Sequence, residues 1–537
     1  MDSSAFLQES YALIRTSASI PPNTQARTLP TPTQLTTARS ALSPPSPSPT
    51  HTHTHTHADD TDFLLLPLHG RGPAATVAHL TRDIAPALAG HNRSGRYYGF
   101  VTGSTLPVAE AADNLVSAFD NSAQVHLPGQ SISTEVEDVA LRMVLRLLGL
   151  EGEGEGKGEG EGEGEGEGEW KGRTFTTGAT ASNILGLACG REVVVGKRLP
   201  AESEDGVGEL GILGACAEAG IREVQVLTSM GHSSLSKAAS VVGLGRRAVK
   251  ELPLSEAEPW RLDLDAVERE LQRENVASIV AISAGEVNTG RFATTGAKDM
   301  KRLRELADKY KAWIHVDGAF GIFARALPTT EEFAGLREST AGLELADSIT
   351  IDGHKLLNVP YDNGMFFTRQ SSTLEAVFQN PNAVYLSSGG PSSIPSPLNI
   401  GLENSRRFRA LPVYAVLVSE GRSGIAEMLA RMVRLARGVA AAIAEDPNLK
   451  DDYELLPEGS TPEATHVVVL FRARDDGLNG VLVKQIQDSG EWYVSGTKWK
   501  GQPACRIAVS SWRVNVEEDL EFVKQRLATI AKEWRQR

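Results

Sequence analysis

The sequence predicts an α/β protein with a mainly parallel sheet in a large domain, followed by a smaller α+β domain. Short apolar runs alternate with helical patterns between residues 173 and 369. Beyond about Ser405, long helical segments lead to strand-like segments and a closing helix. Strands that alternate with helices form mainly parallel sheets covered on both faces. In such sheets, ligands bind beyond the carboxyl ends of the strands.

The composition limits the classes of protein to which the chain can belong. Its 537 residues are too many for one ordinary core, so more than one domain is expected. A formal net charge of −14 argues against nucleic acid or an anionic membrane as the main partner. Three cysteines, Cys189, Cys216 and Cys505, have no metal-ligand spacing and favour a reducing compartment.

The same sequence shows no run of about 20 apolar residues, so no membrane span is predicted. Its N-terminus also lacks the basic region and apolar core of a secretory signal. We expect a cytoplasmic protein, with a mitochondrial transit peptide within residues 1–50 as the alternative.

Two segments of low complexity are predicted to be disordered. Residues 1–57 are expected to form a tail, because 17–57 is rich in Pro, Ser and Thr and buries little apolar surface. Its alternating histidines could bind a metal, but a simple-sequence expansion is the preferred interpretation: His51, His53, His55 and His57. Residues 151–169 alternate Glu and Gly, which predicts an extended loop inserted between two structured segments.

The large domain is predicted to span residues 131–400. A helix from about Ser133 to Gly149 is predicted because apolar residues recur at three- and four-residue intervals. Six short apolar runs predict strands, and the segment 294–311 predicts a helix between two of them. The predicted strands are 173–177, 223–229, 277–283, 312–317, 347–352 and 364–369.

The small domain is predicted to span residues 401–537. It should contain a helical region at 411–445, strands at 465–474 and 505–511, and a closing helix at 516–534. The segment 58–130 before the large domain is expected to be mainly helical.

Residues with useful chemistry follow the ends of several predicted strands. "GATASN" follows the first strand, and small residues at the start of a helix can bind a phosphate. His232 follows the strand 223–229, Asp317 ends the strand 312–317, and His354 and Lys355 follow the strand 347–352. Each of these alone is explained as well by a cap or by packing.

Together, these residues supply the parts of a site for pyridoxal 5′-phosphate (PLP). A lysine in apolar surroundings has a depressed pKa and forms a Schiff base with an aldehyde. A buried aspartate can pair with a protonated pyridine nitrogen, and the helix start can hold the phosphate. The sequence therefore predicts PLP as the cofactor and predicts no metal.

The chain resembles the group II PLP-dependent amino-acid decarboxylases, which include the aromatic-amino-acid and glutamate decarboxylases. The resemblance covers residues 95 to 535 and implies the aspartate aminotransferase-like fold type I of PLP-dependent transferases. Five motifs carry it in the order of the family: "TTGATASN" (176–183), "GHSSLSKAA" (231–239), "HVDGAFG" (315–321), "DSITIDGHKLLNVPYDNG" (347–364) and "SRRFRALPVY" (405–414).

The resemblance implies a role for each residue around the ring of the cofactor. Lys355 is the residue that forms the Schiff base, and Asp317 is the partner of the pyridine nitrogen. Ala319 packs against one face of the ring and His232 stacks on the other. The resemblance makes Lys355, His232 and Asp317 the catalytic residues.

It also implies roles at the phosphate and the substrate. Ala179 and Thr180 are phosphate contacts, with His354 close by. Family members are homodimers with shared sites, so the segment 58–130 is expected at the dimer interface and Ser405 to reach the phosphate of the partner subunit. Arg506 resembles an arginine that meets a substrate carboxylate, although a domain-packing arginine explains it about equally well.

The chain departs from the family at two places. The segment 385–408 lacks a tyrosine where the decarboxylases carry the one that protonates the product carbon; Tyr385 stands only at its start. Family members without this tyrosine include aldehyde synthases. In the segment 283–292, Gly285-Glu286-Val287 replaces a Gly-Thr-Thr pattern, so Asn288 or Thr289 is the candidate replacement for its cofactor-contacting threonine.

Three hypotheses follow for the function. The first is decarboxylation of an L-amino acid to its amine and CO2 through a Lys355 Schiff base. The second is another PLP reaction on the same fold, by an aldehyde synthase or a carbon–carbon lyase. The third is a catalytically silent scaffold, which has little reason to retain the three catalytic residues. The substrate stays open, with Phe100 and His126 as further candidate contacts and packing as the simpler explanation for Phe100.

Overall fold

The computed structural model describes residues 3–19, 27–42, 70–150, 170–203, 205–380 and 394–537. Its helices are α1 Ser3–Ala18, α2 Pro32–Leu42, α3 Pro73–His79, α4 Pro107–Phe119, α5 Ser133–Leu147, α6 Ala179–Gly196, α7 Val207–Glu218, α8 Ser233–Val241, α9 Leu264–Leu271, α10 Ala297–Tyr310, α11 Ala334–Ser339, α12 Gly353–Leu356, α13 Ser371–Phe378, α14 Ala410–Glu445, α15 Asp476–Ser489 and α16 Val516–Arg535. Its strands are β1 Tyr97–Tyr98, β2 Gly172–Thr176, β3 Glu223–Thr228, β4 Val249–Glu251, β5 Val276–Ser283, β6 Trp313–Asp317, β7 Ser348–Asp352, β8 Gly364–Thr368, β9 Tyr453–Leu456, β10 Val468–Ala473, β11 Tyr493–Trp499 and β12 Gln502–Ala508.

A seven-stranded sheet forms the centre of the large domain. Its strand order is β2-β8-β7-β6-β5-β3-β4. Only β8 runs antiparallel to its neighbours, and the other pairings are parallel. The predicted α/β class with a mainly parallel sheet is therefore confirmed.

The strands of this sheet are buried on both faces. All eight residues of β5 are buried, as are all five of β7 and of β8. Helices such as α6 and α10 cover the two faces, which explains why these strands read as continuous apolar runs in the sequence. The carboxyl ends of β5, β6 and β7 meet at one edge, where Ser283 pairs in register with Asp317 and Asp317 with Thr350.

A second sheet of five strands has the order β1-β11-β12-β10-β9. The long helix α14 and the closing helix α16 pack together beside it. Gly421 interrupts α14 with a φ of 60°, which a glycine adopts without strain. This part matches the predicted α+β arrangement, and β1, from the segment before the large domain, adds an unexpected edge strand.

The expected disordered tail over residues 1–57 is wrong for the part of it that the structure describes. Helices α1 and α2 lie within this range. Thr28 is fully buried, its amide donates to Gly490 O at 2.9 Å and its hydroxyl to Glu491 O at 2.8 Å. These bonds to the small domain offset the ordering entropy that the composition cannot offset by itself.

The other low-complexity predictions lie outside the described residues, namely the histidine repeat and the Glu-Gly segment 151–169. Tyr385 also lies outside them. Across the ranges that are described, none of the helices has the length and apolar character that a membrane crossing needs.

Candidate active site

A cavity of about 380 Å³ opens at the edge where the strands of the large sheet end. This volume is within the range of cavities that bind small molecules and cofactors. Nine of the eleven predicted site residues line it: Phe100, Ala179, Thr180, His232, Asp317, Ala319, His354, Lys355 and Arg506.

A larger surface cavity of about 1380 Å³ has no such chemistry. Its arginines serve the backbone: Arg325 donates to Leu148 O and Gly149 O, and Arg422 donates to Leu147 O. These bonds satisfy the free carbonyls at the end of α5, which is a structural role.

Lys355 lies on the short helix α12, directly after β7. Its Nζ is 3.0 Å from Oδ2 of Asp352, the last residue of β7, and 5.6 Å from the centre of the Phe320 ring. The side chain of Asp352 is only 3% exposed. The lysine therefore faces a buried carboxylate as well as an aromatic ring, and the expectation of purely apolar surroundings is wrong.

Asp317 ends β6 and directs its carboxylate toward the cavity. Oδ2 accepts a hydrogen bond from Asn183 Nδ2 at 2.8 Å, and Oδ1 accepts one from the amide of Ala319 at 3.3 Å. A carboxylate has about four acceptor positions, so these two donors leave capacity for a further donor in the cavity.

His232 caps the N-terminus of α8. Its Nδ1 accepts a hydrogen bond from the amide of Ser234 at 3.2 Å and lies 2.7 Å from the hydroxyl of Ser234. Because Nδ1 is an acceptor, the ring proton is on Nε2. The exposed imidazole thus offers the cavity an N–H donor and a flat face.

The N-terminus of α6 and His354 line the cavity next to Asp352. The amide of Ala179 points out of the helix and donates to Asp352 Oδ1 at 2.6 Å. A Cβ at Gly178 would lie 3.1 Å from Cε1 of His354, so the glycine keeps this end open. Burial lowers the pKa of His354, whose Nδ1 accepts from the amide of Asn363 at 3.3 Å.

These groups fit PLP by their chemistry. The cavity supplies an amine for the aldehyde, a carboxylate for the ring nitrogen, a flat imidazole and a small methyl group for the ring faces, and a helix N-terminus for the phosphate. The residues that would hold the cofactor are Ala179, Thr180, His232, Asp317, Ala319, His354 and Lys355.

Phe100, Tyr361 and Arg506 also line the cavity. Arg506 is buried, and it donates through Nη1 to Val287 O at 2.6 Å and through Nε to Ser495 Oγ at 3.2 Å. Tyr361 is 54% exposed, but partial desolvation at the cavity wall still raises its pKa to about 12, so its phenol keeps its proton at neutral pH. Its ring lies 4.6 Å from the ring of His354.

Two predicted site residues lie away from the cavity of their own chain. Ser405 is exposed and donates to Gln124 Oε1 at 3.0 Å. His126 is buried, and its Nδ1 lies 2.8 Å from Thr134 Oγ1. His126 is thus bonded to α5 and does not line the cavity of its own chain, so its role at the substrate stays a prediction.

The candidate replacements for the missing threonine are also turned away from the cavity. Thr289 donates to Glu286 Oε2 at 2.8 Å, and Asn288 Oδ1 accepts from Thr497 Oγ1 at 2.7 Å. Glu286 is buried and organises this turn by accepting from both backbone amides. Ser283, at the end of β5, lines the cavity in this region instead.

Sequence reasoning missed the roles of Asp352, Tyr361 and Ser283. Asp352 and Tyr361 both lie in the stretch that contains Lys355, three residues before it and six after it. Ser283 ends a predicted strand, as Asp317 does. A search for every polar residue at the carboxyl end of a strand would have found Ser283 and Asp352.

Comparison with known proteins gives one consistent family. The model of the pyridoxal-dependent decarboxylase conserved domain matches residues 91–474. An L-2,4-diaminobutyrate decarboxylase of Acinetobacter baumannii is 29% identical over 371 residues, which are 66% of this chain and 67% of that protein. A phenylacetaldehyde synthase of Petunia hybrida is 24% identical over 291 residues, which are 52% of this chain and 55% of that protein.

The fold is shared with solved structures as well. A crystal structure of Oryza sativa TDC with PLP and tryptamine has a TM-score of 0.74 at 18% identity and covers 99% of this chain and 98% of that chain. This likeness confirms fold type I. The family match covers well over half of the sequence, which makes PLP the cofactor and the enzyme a carboxy-lyase. The chain belongs to the pyridoxal-dependent decarboxylases.

Proposed function

We propose that the protein decarboxylates an L-amino acid to the corresponding amine and CO2, with Lys355 holding PLP as a Schiff base. One observation carries this proposal: Lys355, Asp317 and His232 line the same cavity, together with the N-terminus of α6. The three residues come from three separate elements, so a structural cap or local packing does not explain their convergence.

Different residues of the chain have different roles in this reaction. Bound PLP supplies an electron sink for the electron pair that the departing CO2 leaves behind. Asp317, held by Asn183 and Ala319, would keep a proton on the ring nitrogen of the bound cofactor. His232 would lie against the ring of the bound cofactor, and Lys355 would hold its aldehyde through the amine.

Arg506 supports an amino-acid substrate. A buried guanidinium at a cavity wall needs an anion to balance its charge. Glu286 attracts Arg506 electrostatically but makes its hydrogen bonds within its own turn. We infer that Arg506 binds a carboxylate of the substrate, with Phe100 as an apolar wall beside it.

Tyr361 supports an amine as the product. Loss of CO2 leaves a carbon that needs a proton, and a phenol that remains protonated is a suitable donor. Tyr361 is such a phenol in the cavity wall, although the expected tyrosine of the 385–408 segment is absent.

The second candidate is an aldehyde synthase, which the missing tyrosine and the similarity to a phenylacetaldehyde synthase favour. In that reaction the amino acid, O2 and water give the aldehyde, CO2, ammonia and hydrogen peroxide. Product analysis separates the two candidates, because only the oxidative reaction consumes O2 and forms peroxide.

We also propose a homodimer with shared active sites. Large apolar side chains are exposed on α4 and just before α5: Leu115, Phe119 and Ile132. Exposed apolar groups of this size mark an interaction surface, and the outward position of Ser405 supports its contact with the partner subunit.

The test of the proposed function is a panel of L-amino acids with the purified protein and added PLP, measuring CO2, amine, aldehyde and peroxide. At least one amino acid should give CO2 and amine in equal amounts. Lys355→Ala should lower CO2 release by ~10² to 10⁴-fold or more, as expected for a positioned catalytic group.

Lys237→Ala is the matched control, because Lys237 lies exposed on α8 next to the site but outside the cavity. It should retain activity. If Lys355→Ala forms amine at the wild-type rate, the proposal is wrong.

A further inference from the structure

Three polar side chains share one face of β6. Trp313, His315 and Asp317 are spaced two residues apart, so all three point to the side of the sheet that α6 covers. His315 and Trp313 are buried, whereas Asp317 reaches the cavity at the end of the strand. The function proposed above uses only Asp317.

A chain of hydrogen bonds connects these residues through β7 and α6. Trp313 Nε1 donates to Ser348 Oγ at 3.0 Å, and this hydroxyl lies 2.8 Å from Nδ1 of His315. His315 Nε2 lies 3.0 Å from Oδ1 of Asn183, and Asn183 Nδ2 donates to Asp317 Oδ2 at 2.8 Å.

The chemistry of these groups fixes the direction of every bond. An indole N–H only donates and a carboxylate only accepts. Oδ1 of Asn183 also only accepts, so His315 donates Nε2–H to it; because the buried ring is neutral, its Nδ1 accepts from the hydroxyl of Ser348, which accepts from Trp313. His315 is neutral in this arrangement, in agreement with burial, which lowers its pKa to about 4.

A branch of the same chain leads to His232. Nδ2 of Asn183 also donates to Ser234 Oγ at 3.1 Å. Because this hydroxyl accepts from Asn183, it is free to donate to His232 Nδ1, which also accepts from the amide of Ser234. Asn183 Nδ2 thus donates both to Asp317 itself and to Ser234, the residue that holds His232.

Helix α6 is shaped to bring Asn183 to this position. A Cβ at Gly186 would lie 2.3 Å from the ring of His315, and one at Gly190 would lie 2.9 Å from Trp313. These glycines, four residues apart on one face, let the helix lie against the buried rings of β6. The close approach places Asn183 within bonding distance of both His315 and Asp317.

We propose that Asn183 is a positioning residue that orients Asp317 and fixes the Nε2–H tautomer of His232 through one hydrogen-bond chain anchored at Ser348 and Trp313. This inference rests on the proposed function, since it assigns Asn183 to the support of the residues that hold PLP. Asn183 itself acts only through Asp317 and His232.

The test compares three variants of the full-length protein. Asn183→Leu keeps the size of the side chain and removes both donors. It should weaken PLP binding about 10- to 100-fold, the range seen when a group that orients a ligand residue is removed. Ser348→Ala cuts the chain far from the cavity and should weaken PLP binding by a smaller factor.

Cys189→Ala is the control, because Cys189 is buried on the same helix and its Sγ lies 4.0 Å from Thr373 O, outside the chain. It should destabilise α6 without changing the PLP dissociation constant. Equal weakening by Cys189→Ala would show that Asn183 acts only through the stability of the helix and would overturn the proposal.

The second readout is the ¹⁵N NMR signal of the imidazole rings, before and after PLP is added. In the wild type, both His232 and His315 should carry the ring proton on Nε2. In Asn183→Leu, His232 should become a mixture of tautomers. An unchanged His232 signal, or a PLP dissociation constant within twofold of the wild type, would overturn the proposal.

These outcomes separate this proposal from the proposed function. If the wild type binds PLP but releases no CO2 from any amino acid, the proposed function fails while the tautomer and binding results still decide the role of Asn183. If CO2 is released and Asn183→Leu behaves as the wild type, only the role of Asn183 fails.

Discussion

Asp352 gives the site a charge arrangement that its motif alone does not reveal. One carboxylate oxygen faces Nζ of Lys355 and the other accepts a hydrogen bond from the amide of Ala179 at the start of α6. The side chain is almost fully buried, so water does little to screen its charge. A carboxylate therefore lies at the end of the cavity where a phosphate is expected.

The position of this carboxylate gives a prediction for Asp352→Asn. Removing the negative charge should strengthen the binding of inorganic phosphate, because phosphate no longer competes with a carboxylate for the Ala179 amide and is no longer repelled by it. An increase in affinity of about tenfold is expected, equivalent to about 1.4 kcal/mol. Competition of phosphate with PLP, followed by fluorescence, measures this affinity.

Asp362→Asn is the control for this prediction. Asp362 belongs to the same motif but pairs with Arg409 and lies outside the cavity lining. It should leave phosphate binding unchanged. Weaker phosphate binding by Asp352→Asn would show instead that the carboxylate helps to organise the anion site.

Residue spacing explains why Lys355 was predictable and Asp352 was not. A lysine directly after a buried strand is unusual, and the strand itself is visible as an apolar run. Whether the carboxylate three residues earlier turns toward this lysine depends on the bend from β7 into α12, which no local pattern encodes. The same limit explains why the orientations of His126 and Thr289 could not be predicted, since each depends on the hydrogen bond that its side chain makes in the fold.

At the scale of elements, ion pairs tie the N-terminal helices to the segment before α14. Arg406 is paired with Glu137 of α5, and both side chains are buried. Arg407 pairs with Asp113 of α4. Arg409 pairs with Asp362, close to the stretch that carries Lys355. The "RRF" motif thus joins three parts of the molecule around the site.

The buried pair of α5 gives a pH prediction. Burial raises the pKa of Glu137 to about 7, and this outweighs the effect of Arg406. The folded protein therefore binds more protons than the unfolded chain between about pH 4.5 and 7. The stabilisation from this proton is complete below about pH 4.5 and is lost as the pH rises through 7, a change of up to about 3 kcal/mol.

Glu137→Gln should remove this dependence. The melting temperature of the variant minus that of the wild type should increase as the pH is raised from 5 to 8. Glu135→Gln, on the same helix but more exposed, should give a constant difference. A difference that decreases with pH would indicate that Arg406 dominates and lowers the pKa of Glu137.

The elements of the large sheet were largely predictable. Six of its seven strands follow buried apolar runs that the sequence displays, and only β4 was missed. This strand is three residues long, "VKE", with no buried residue, so its existence depends on pairing with β3. Strand β1 has two residues and likewise depends on its partner β11. Patterns of burial reveal core strands, whereas edge strands depend on pairing.

At the scale of the whole molecule, two features support the proposed dimer. One is an exposed apolar surface, and the other is Ser405, a predicted site residue that lies outside the cavity of its own chain. Phe119 is 73% exposed at the end of α4, and Leu115, one turn earlier, is 51% exposed. Ser405 projects from the segment that pairs with α4 through Arg407. A second copy seated on this surface would bring Ser405 close to a cavity that is not its own.

A mixing experiment tests this arrangement without a known substrate. Borohydride reduction after PLP addition fixes the cofactor on Lys355 of the wild type, so mass spectrometry reports an assembled site. Lys355→Ala should give no adduct, and Ser405→Trp, which fills the contact, should give little.

If each site combines Lys355 of one chain with Ser405 of the other, mixed dimers of the two variants contain one intact site. The adduct on the Ser405→Trp chain should then rise several-fold after the two proteins are mixed and allowed to exchange subunits. A chain that serves its own cavity would gain nothing, because its Lys355 would stay beside its own tryptophan. Leu213→Asp added to both chains is the control, since Leu213 is 85% exposed on α7 and outside the proposed surface, whereas Phe119→Asp in both chains should abolish the gain by preventing assembly.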